Sequence, residues 1–362
     1  VLLGACGSDP ATSTPPTEAP AEPVAPPPPI QNVALTITID QLRLRDQPGQ
    51  TGKELARLVE GSQVTEVGEV SDFSSPVQLR GVKYEEPWVK VKTAEGTVGW
   101  VYSAGLRYED AAANALIRQL QQGRLRSFFG NDLASAINTY REQYGQIDDS
   151  EAFRTVFRQG RSLRDRMVEQ LGRRVVGLDP EQYPDLSWLE LALPGYVAQF
   201  VAEGTEPYLF NNFKAWKAKA QTTAEQADDE FIDICLQLHS TDSMEYFYPS
   251  WFLQTWDYGG HSLLGQNIHK SLMINMEAAA AKSPLFREEF IEIKDQLLED
   301  ICSESNTYWE SQAKIDQEIQ ALLDANFSLM NNEDRVALST RQQMFKDFQK
   351  NNIQLNLRSG EE

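Results

Sequence analysis

The segment Leu42–Pro48, which reads LRLRDQP, decides the fold of the first part of the chain. Leu42 and Leu44 alternate with Arg43 and Arg45, and a period of two is typical of a strand that buries one face. The Asp-Gln-Pro that ends the segment is followed by glycine, and this combination favours a turn. The segment therefore predicts a short strand that enters a turn.

Runs in which apolar and polar residues alternate also lie on both sides of this segment. Leu35, Ile37 and Ile39 alternate with threonine, and Gly or Pro residues separate the runs. The further strand-like runs are Glu54–Val59, Gln63–Val67, Trp88–Lys92 and Val98–Tyr102. Short strands broken by turn residues predict a small β-barrel over residues 33–108. Its predicted core consists of Leu42, Leu44, Val64, Val89, Val91 and Val101, with Trp100 closing one end.

Four ordered elements of this region resemble bacterial SH3 (SH3b) domains. Leu42–Pro48 resembles their Leu-Asn-Val-Arg-x-x-Pro opening, and Leu58–Val64 resembles their Leu-x-x-Gly-x-x-Val turn. Trp88–Val91 followed by Gly96–Val101 resembles their Trp-x-Lys-Val and Gly-x-x-Gly-Trp-Val close. The resemblance implies an SH3-like barrel that binds a cell-wall peptide or mediates protein contacts. Gly68–Pro87 is longer than the usual loop, and such an insertion can alter or cover the binding surface.

The first residues of the chain resemble a bacterial lipobox. Leu3–Cys6 reads LGAC, with an apolar residue and two small residues before the cysteine. The resemblance implies that residues 1–5 are a signal-peptide remnant and that Cys6 carries a diacylglycerol. We therefore expect a lipoprotein whose bilayer contact is the acylated Cys6 and which needs no cofactor besides this covalent lipid. Gly7, in place of Asp, favours export to the outer membrane.

Residues 6–32 form a proline-rich tether by composition, with Ala, Thr, Ser and Glu between the prolines. Proline removes backbone donors and fixes φ, which favours extended polyproline II. We expect a disordered spacer between the lipid and the barrel, with a ligand for a proline-binding domain as the alternative.

Residues 109–362 change to a helical texture, for which we recognise no family. In Ser150–Leu171, apolar residues recur at spacings of three, four and seven, which marks one buried helix face. We predict an all-α domain, so the fold class is multidomain: a small SH3-like barrel, then a multi-helix domain. The predicted helices after Asp110–Phe129 and Ser150–Leu171 are Ser187–Ala202, Tyr208–Gln221, Ala224–Leu238, Ser262–Ala281, Leu285–Cys302, Tyr308–Leu323 and Glu333–Ile353.

The charge of the chain restricts its partners. The formal net charge is -20, and residues 109–362 contain 40 acidic against 24 basic residues. A field of this sign repels phosphate backbones, so we expect no nucleic-acid binding. No stretch approaches the roughly 20 apolar residues that a membrane-spanning helix needs.

The histidines give little sign of catalysis. His261 follows a Gly-Gly pair and could join Asp257 and His269 in a metal or acid–base cluster. A spacing of eight puts His261 and His269 about 12 Å apart along one helix, too far for chelation without another element. No HExxH, paired CxxC or GxSxG pattern accompanies them. We therefore expect a non-enzyme, and a hydrolase in the helical domain remains the weaker alternative.

Two groups of aromatic residues are candidate binding surfaces. The segment 246–258 contains Trp251, Trp256 and Tyr258 close to His261, and it is either a core crossover or a surface for sugar or partner proteins. The second group lies in the barrel and comprises Tyr84, Trp100 and Tyr102.

Cys235 and Cys302 both occupy helical contexts. They are either a disulfide between two helices or isolated buried thiols.

Together these features favour a non-catalytic lipoprotein of the bacterial cell envelope. Its expected work is docking, as an accessory subunit of a membrane-associated assembly with a protein partner. The alternative is a lipoprotein that binds peptidoglycan, another glycan or a solute, through the barrel or the aromatic segment.

Overall fold

The structure is a computed structural model and describes residues 33–79, 82–108, 115–179, 183–201, 204–239, 245, 247–255 and 259–357. The predictions for residues 1–32, with Cys6 and the tether, lie outside these residues. So do those for Trp256, Asp257 and Tyr258.

Residues 34–108 form a seven-stranded antiparallel sheet, which confirms the SH3-like unit. The strands are β1 (Ala34–Ile37), β2 (Leu42–Arg45), β3 (Glu54–Leu58), β4 (Gln63–Leu79), β5 (Val82–Thr93), β6 (Val98–Tyr102) and β7 (Leu106–Tyr108). Their order in the sheet is β3-β2-β6-β5-β4-β1-β7. A 3₁₀ turn at Ser103–Gly105 joins β6 to β7.

The alternation in the sequence fixes which face of the sheet is buried. Leu44, Val89, Val91 and Val101 are completely buried, as predicted. The β2 and β6 backbones approach closely at Gly99, where an added Cβ would lie 2.7 Å from the Arg45 carbonyl oxygen. Glycine is therefore required at this crossing.

The insertion Gly68–Pro87 is a β-hairpin rather than a loop. β4 and β5 continue past the barrel, and their pairing runs from Ser74↔Pro87 to Leu79↔Val82. The register shifts twice, between Glu66 and Val70 and between Val70 and Ser74. Irregularities of this kind bend and twist a strand pair. We call residues 70–79 of β4 with residues 82–87 of β5 the extension.

The rest of the described chain is mainly helical, as predicted. The helices are α1 (Ala115–Gly145), α2 (Ser150–Val175), α3 (Leu189–Ala192), α4 (Phe213–Ala220), α5 (Ala227–Leu238), α6 (Ile268–Lys282), α7 (Arg287–Cys302), α8 (Gln312–Asp324) and α9 (Asn332–Lys346). The predicted helix Asp110–Phe129 ends at an interruption of α1, where Gly130 has φ 74°. None of the helices in the described ranges is long and apolar enough to cross a membrane.

The helical part is not all-α, because two hairpins interrupt it. β8 (Tyr196–Val201) pairs with β9 (Glu206–Asn211), and β10 (Phe252–Gln254) pairs with β11 (Gly260–Ser262). The predicted helix Ser187–Ala202 was therefore wrong over its second half, and the predicted helix Tyr208–Gln221 was wrong over residues 208–211, which belong to β9. The residues of β8 are rich in aromatic and β-branched side chains, which favour strands, and Gly195 with φ 88° separates them from α3.

The barrel and the helices share one hydrophobic core. The extension contacts α1, where Tyr84 packs edge-on against Phe128 with ring centroids 5.5 Å apart. Trp188 packs against the same Phe128 ring at 5.1 Å. The SH3-like unit therefore packs directly against the helical part through a common core.

Candidate functional site

An open groove of about 360 Å³ lies between β2 and the extension. One wall comes from the barrel and the other from Val77 and Leu79 of the inserted strand. We call it the composite groove; it is lined by Ile39, Gln41, Leu42, Arg43, Arg45, Gln50, Val77, Leu79, Trp88 and Tyr102.

The extension covers the two aromatic residues at the back of the groove. The Trp88 Nε1–H donates to Ser75 Oγ at 3.0 Å, and the Tyr102 hydroxyl donates to the Ser75 carbonyl at 2.6 Å. Gln50 Nε2 donates to the Pro76 carbonyl at 3.3 Å. Both rings are only 4% exposed. The insertion therefore satisfies their polar atoms and leaves the groove beside them open.

Arg45 is the charged group at the base of the groove. It is 8% exposed, its guanidinium carbon lies 5.9 Å from the centre of the Trp88 ring, and its Nη1 donates to the Gly52 carbonyl at 2.5 Å. Its Nε has no hydrogen-bond partner, and no carboxylate in the described part of the chain forms an ion pair with it. Glu54 lies opposite Arg45 on β3 without forming this direct pair, and a buried cation that makes no direct ion pair is costly. Beside an open groove, such a cation favours an anionic ligand.

The predicted aromatic surface of the barrel does not form as one patch. Tyr84 is buried in the joint with α1, and Tyr102 is buried beneath the extension. Burial raises the pKa of Tyr102 well above its usual range. Trp100 alone of the three is half-buried, with Lys90 Nζ 5.7 Å from its ring centre. Tyr84 and Tyr102 instead join the insertion and α1 to the barrel.

The candidate surface in the helical part is also divided. Trp251 is 3% exposed and lies 5.7 Å from the His269 ring, so it belongs to the core. His261, on β11, is half-buried, and its Nδ1 lies 2.7 Å from Thr307 Oγ1. The crossover interpretation therefore holds for Trp251.

His261 and His269 do not form a common site. The His269 Nε2 lies 2.9 Å from Asp300 Oδ2, which also accepts a hydrogen bond from the Ser262 hydroxyl at 2.6 Å. His269 is completely buried. Within the described ranges, no three His, Cys, Asp or Glu residues are grouped to hold a metal ion.

A smaller cavity of about 80 Å³ lies between α2, α5 and α7. Arg161, Cys235, His239 and Glu245 are among its lining residues, whereas Trp251 and His261 are not. Burial lowers the pKa of His239 and raises that of Cys235, so neither the imidazolium nor the thiolate is favoured. The cavity thus holds no activated nucleophile among these residues.

The two cysteines are free thiols in the structure. Cys235 is 4% exposed, and Cys302 is partly buried. Of the two alternatives for these residues, the structure contains the unbridged thiols rather than the disulfide.

Comparison with known proteins identifies the barrel. Residues 40–107 match the family model of the bacterial SH3 domain. No curated protein and no solved structure matches the chain. The match includes most of the composite groove, so this groove is a feature of an SH3 domain with an inserted hairpin. It does not extend into the helical part, which stays without a family.

Proposed function

We propose that this protein is a non-catalytic docking protein of the cell envelope, whose SH3 domain binds a partner protein in the composite groove. The observation that carries the proposal is the groove with Arg45 at its base, because this buried guanidinium forms no ion pair with a described carboxylate. Bacterial SH3 domains commonly bind cell-wall peptidoglycan or proteins, which supports a binding role outside the cytoplasm. The shared core with the helical part supports docking, because a ligand on the barrel is then held rigidly against the helices.

The proposal includes a lipid anchor at Cys6 and places the protein at the outer membrane. The lipobox-like Leu3–Cys6 and the proline-rich residues that follow support this anchor. The test is metabolic labelling with a fatty acid in a bacterial host that expresses the chain behind a complete signal peptide. Label should enter the wild type, and Cys6→Ala should remain unlabelled and leave the membrane fraction. Labelling of Cys6→Ala would remove the anchor from the proposal.

The docking role is tested by purification from detergent-solubilised membranes. A stoichiometric membrane protein should accompany the wild type, and Val77→Asp should lose it, because this change puts a charge on the apolar wall of the groove. Val176→Asp is the matched control, since Val176 is 79% exposed and lies outside the lining of the groove. Retention of the partner by Val77→Asp would contradict docking in the groove.

A second candidate function is cell-wall binding, which the SH3 match itself favours. Co-sedimentation with purified peptidoglycan distinguishes the two. Sedimentation that Val77→Asp abolishes, without a co-purified membrane protein, would favour the wall. Neither function needs a catalytic step or a cofactor.

A further inference from the structure

We infer that one outer face of the SH3 sheet is a docking face for an acidic, extended segment of a partner polypeptide. The inference deepens the proposed function by giving the chemistry of the partner. It rests on the register of four strands, which places basic side chains and one tryptophan side by side.

Pairing across the strands defines this face. Arg43 of β2 lies opposite Arg57 of β3, and Arg45 of β2 lies between Glu54 of β3 and Trp100 of β6. Trp100 in turn lies opposite Lys90 of β5. Directly paired residues point to the same side of a sheet. We call this surface the basic face; it comprises Arg43, Arg45, Arg57, Lys90, Lys92 and Trp100.

The positive charge of the basic face is only partly neutralised. Glu54 pairs with Arg43 at 3.4 Å and with Arg57 at 2.7 Å, and Glu69 pairs with Lys90 at 2.7 Å. Arg45 and Lys92 form no ion pair with the described residues. The face therefore has an excess of positive charge on a chain of net charge -20. Charge complementarity selects a negatively charged partner and speeds its approach.

The shape next to the basic face favours a polypeptide over a membrane. Arg43 and Arg45 belong both to the face and to the composite groove, whose walls include apolar Leu42, Val77 and Leu79. An extended chain presents alternate side chains to opposite sides, so its carboxylates can reach the arginines while the intervening side chains enter the groove. A flat anionic bilayer would meet the cations and leave the groove empty.

Arg45 gives the inference its specificity. Its guanidinium is buried and forms no ion pair with a described carboxylate, although Glu54 lies opposite it on β3. A ligand carboxylate that reaches Arg45 would supply the direct ion pair that Glu54, bound to Arg43 and Arg57, does not form. Trp100 offers a half-buried ring between Arg45 and Lys90, against which the aliphatic part of a glutamate can pack.

The test measures binding of two labelled synthetic peptides to the full chain by fluorescence anisotropy. One peptide alternates Glu with Thr, and the other replaces every Glu by Gln. The Glu peptide should bind, more weakly as salt is added, and the Gln peptide should not. Arg43→Glu and Lys92→Glu change exposed residues and should each weaken binding about threefold to tenfold, because each replaces an attraction by a repulsion. Lys350→Glu, an exposed change outside the face, is the control and should have no effect.

Equal binding of both peptides, or unchanged binding by Arg43→Glu and Lys92→Glu, would overturn the acidic specificity. Binding to phosphatidylglycerol vesicles without binding of the Glu peptide would overturn it in favour of a lipid surface. In either case a membrane partner that Val77→Asp loses would still support docking. Conversely, selective binding of the Glu peptide without any co-purified membrane partner would support the basic face as a site for acidic segments. The same result would contradict the proposed docking to a membrane protein.

Discussion

Arg124 of α1 reaches into the SH3 barrel and forms a buried ion pair with Glu86 of β5. The Arg124 Nε lies 3.3 Å from Glu86 Oε1, and the two side chains are 3% and 0% exposed. Arg124 also donates to the carbonyls of Ser103 at 2.6 Å and Leu106 at 2.8 Å. Burial lowers the pKa of Arg124, but the charge of Glu86, its hydrogen bond to Arg124 and the nearby Tyr108 and Tyr84 together raise that pKa above its usual range. Arg124 of α1 thus connects the helical part to the SH3 barrel through an ion pair and two hydrogen bonds.

Removal of this arginine should destabilise the whole chain. Arg124→Met leaves Glu86 buried and unpaired, which we expect to cost about 3–5 kcal/mol in the free energy of unfolding. Urea unfolding followed by far-UV circular dichroism measures this loss. The control is Arg173→Met, which breaks the exposed Arg173–Glu169 pair and should cost less than about 1 kcal/mol. Separate unfolding transitions of barrel and helices in the wild type would contradict a shared core.

Arg124 also shows what the sequence could have predicted. Leu120, Arg124 and Phe128 are spaced by four and lie on one helix face, so a lone charge stood in an apolar stripe. A charge on a buried helix face needs a buried partner of opposite charge, because an unpaired buried charge is costly. The sequence does not indicate which carboxylate is that partner. Glu86 lies in the insertion, far away in sequence, and only the fold brings the two together.

The barrel was predictable because its signals are local. Alternation in β2, glycine at the turns and the paired valines of β5 and β6 each fix a strand without reference to the rest of the chain. The extension was not predictable, because Ser71–Gln78 is mostly polar and contains Pro76. Its strands are covered by α1 and by Trp88 and Tyr102, so their stability is a property of tertiary contacts. The composite groove, one wall of which is this extension, was missed for the same reason.

Tyr102→Phe should loosen the extension. The Tyr102 hydroxyl donates to the Ser75 carbonyl and accepts from the Glu86 backbone N–H at 3.1 Å, so its removal takes one hydrogen bond from each of these two backbone groups. We expect a loss of about 1–3 kcal/mol in the free energy of unfolding and faster hydrogen exchange of the extension. Tyr183→Phe, whose hydroxyl makes an exposed bond to the Thr205 carbonyl, is the control and should be nearly neutral. Unchanged exchange in Tyr102→Phe would mean that other contacts hold the extension in place.

Cys235 and Cys302 should both react with an alkylating reagent in urea without any reductant. Their thiols are free, so the mass of the unfolded chain should increase by two labels on these residues. In the native state Cys235 should be protected, because it is buried and its pKa is raised by burial. Peptide mass mapping locates the labels. A chain that is labelled at these positions only after reduction would contain the disulfide.

Glu66 should make the barrel less stable as the pH rises above the acidic range. Its side chain is 1% exposed, and burial raises its pKa against the opposing effect of the Gly68 and Val33 backbone. Because the folded pKa lies above the unfolded value, the folded state holds the proton more tightly. The resulting stabilisation is complete below the unfolded pKa and is lost as the pH rises through the folded pKa.

Glu66→Gln cannot ionise, so its free energy of unfolding, measured by urea titration at several pH values, should fall less than that of the wild type over this range. Glu60→Gln, at an exposed turn position, is the control and should follow the wild type. Parallel curves for Glu66→Gln and the wild type would show that Glu66 is ionised at no cost, and would contradict the burial that the fold assigns to it.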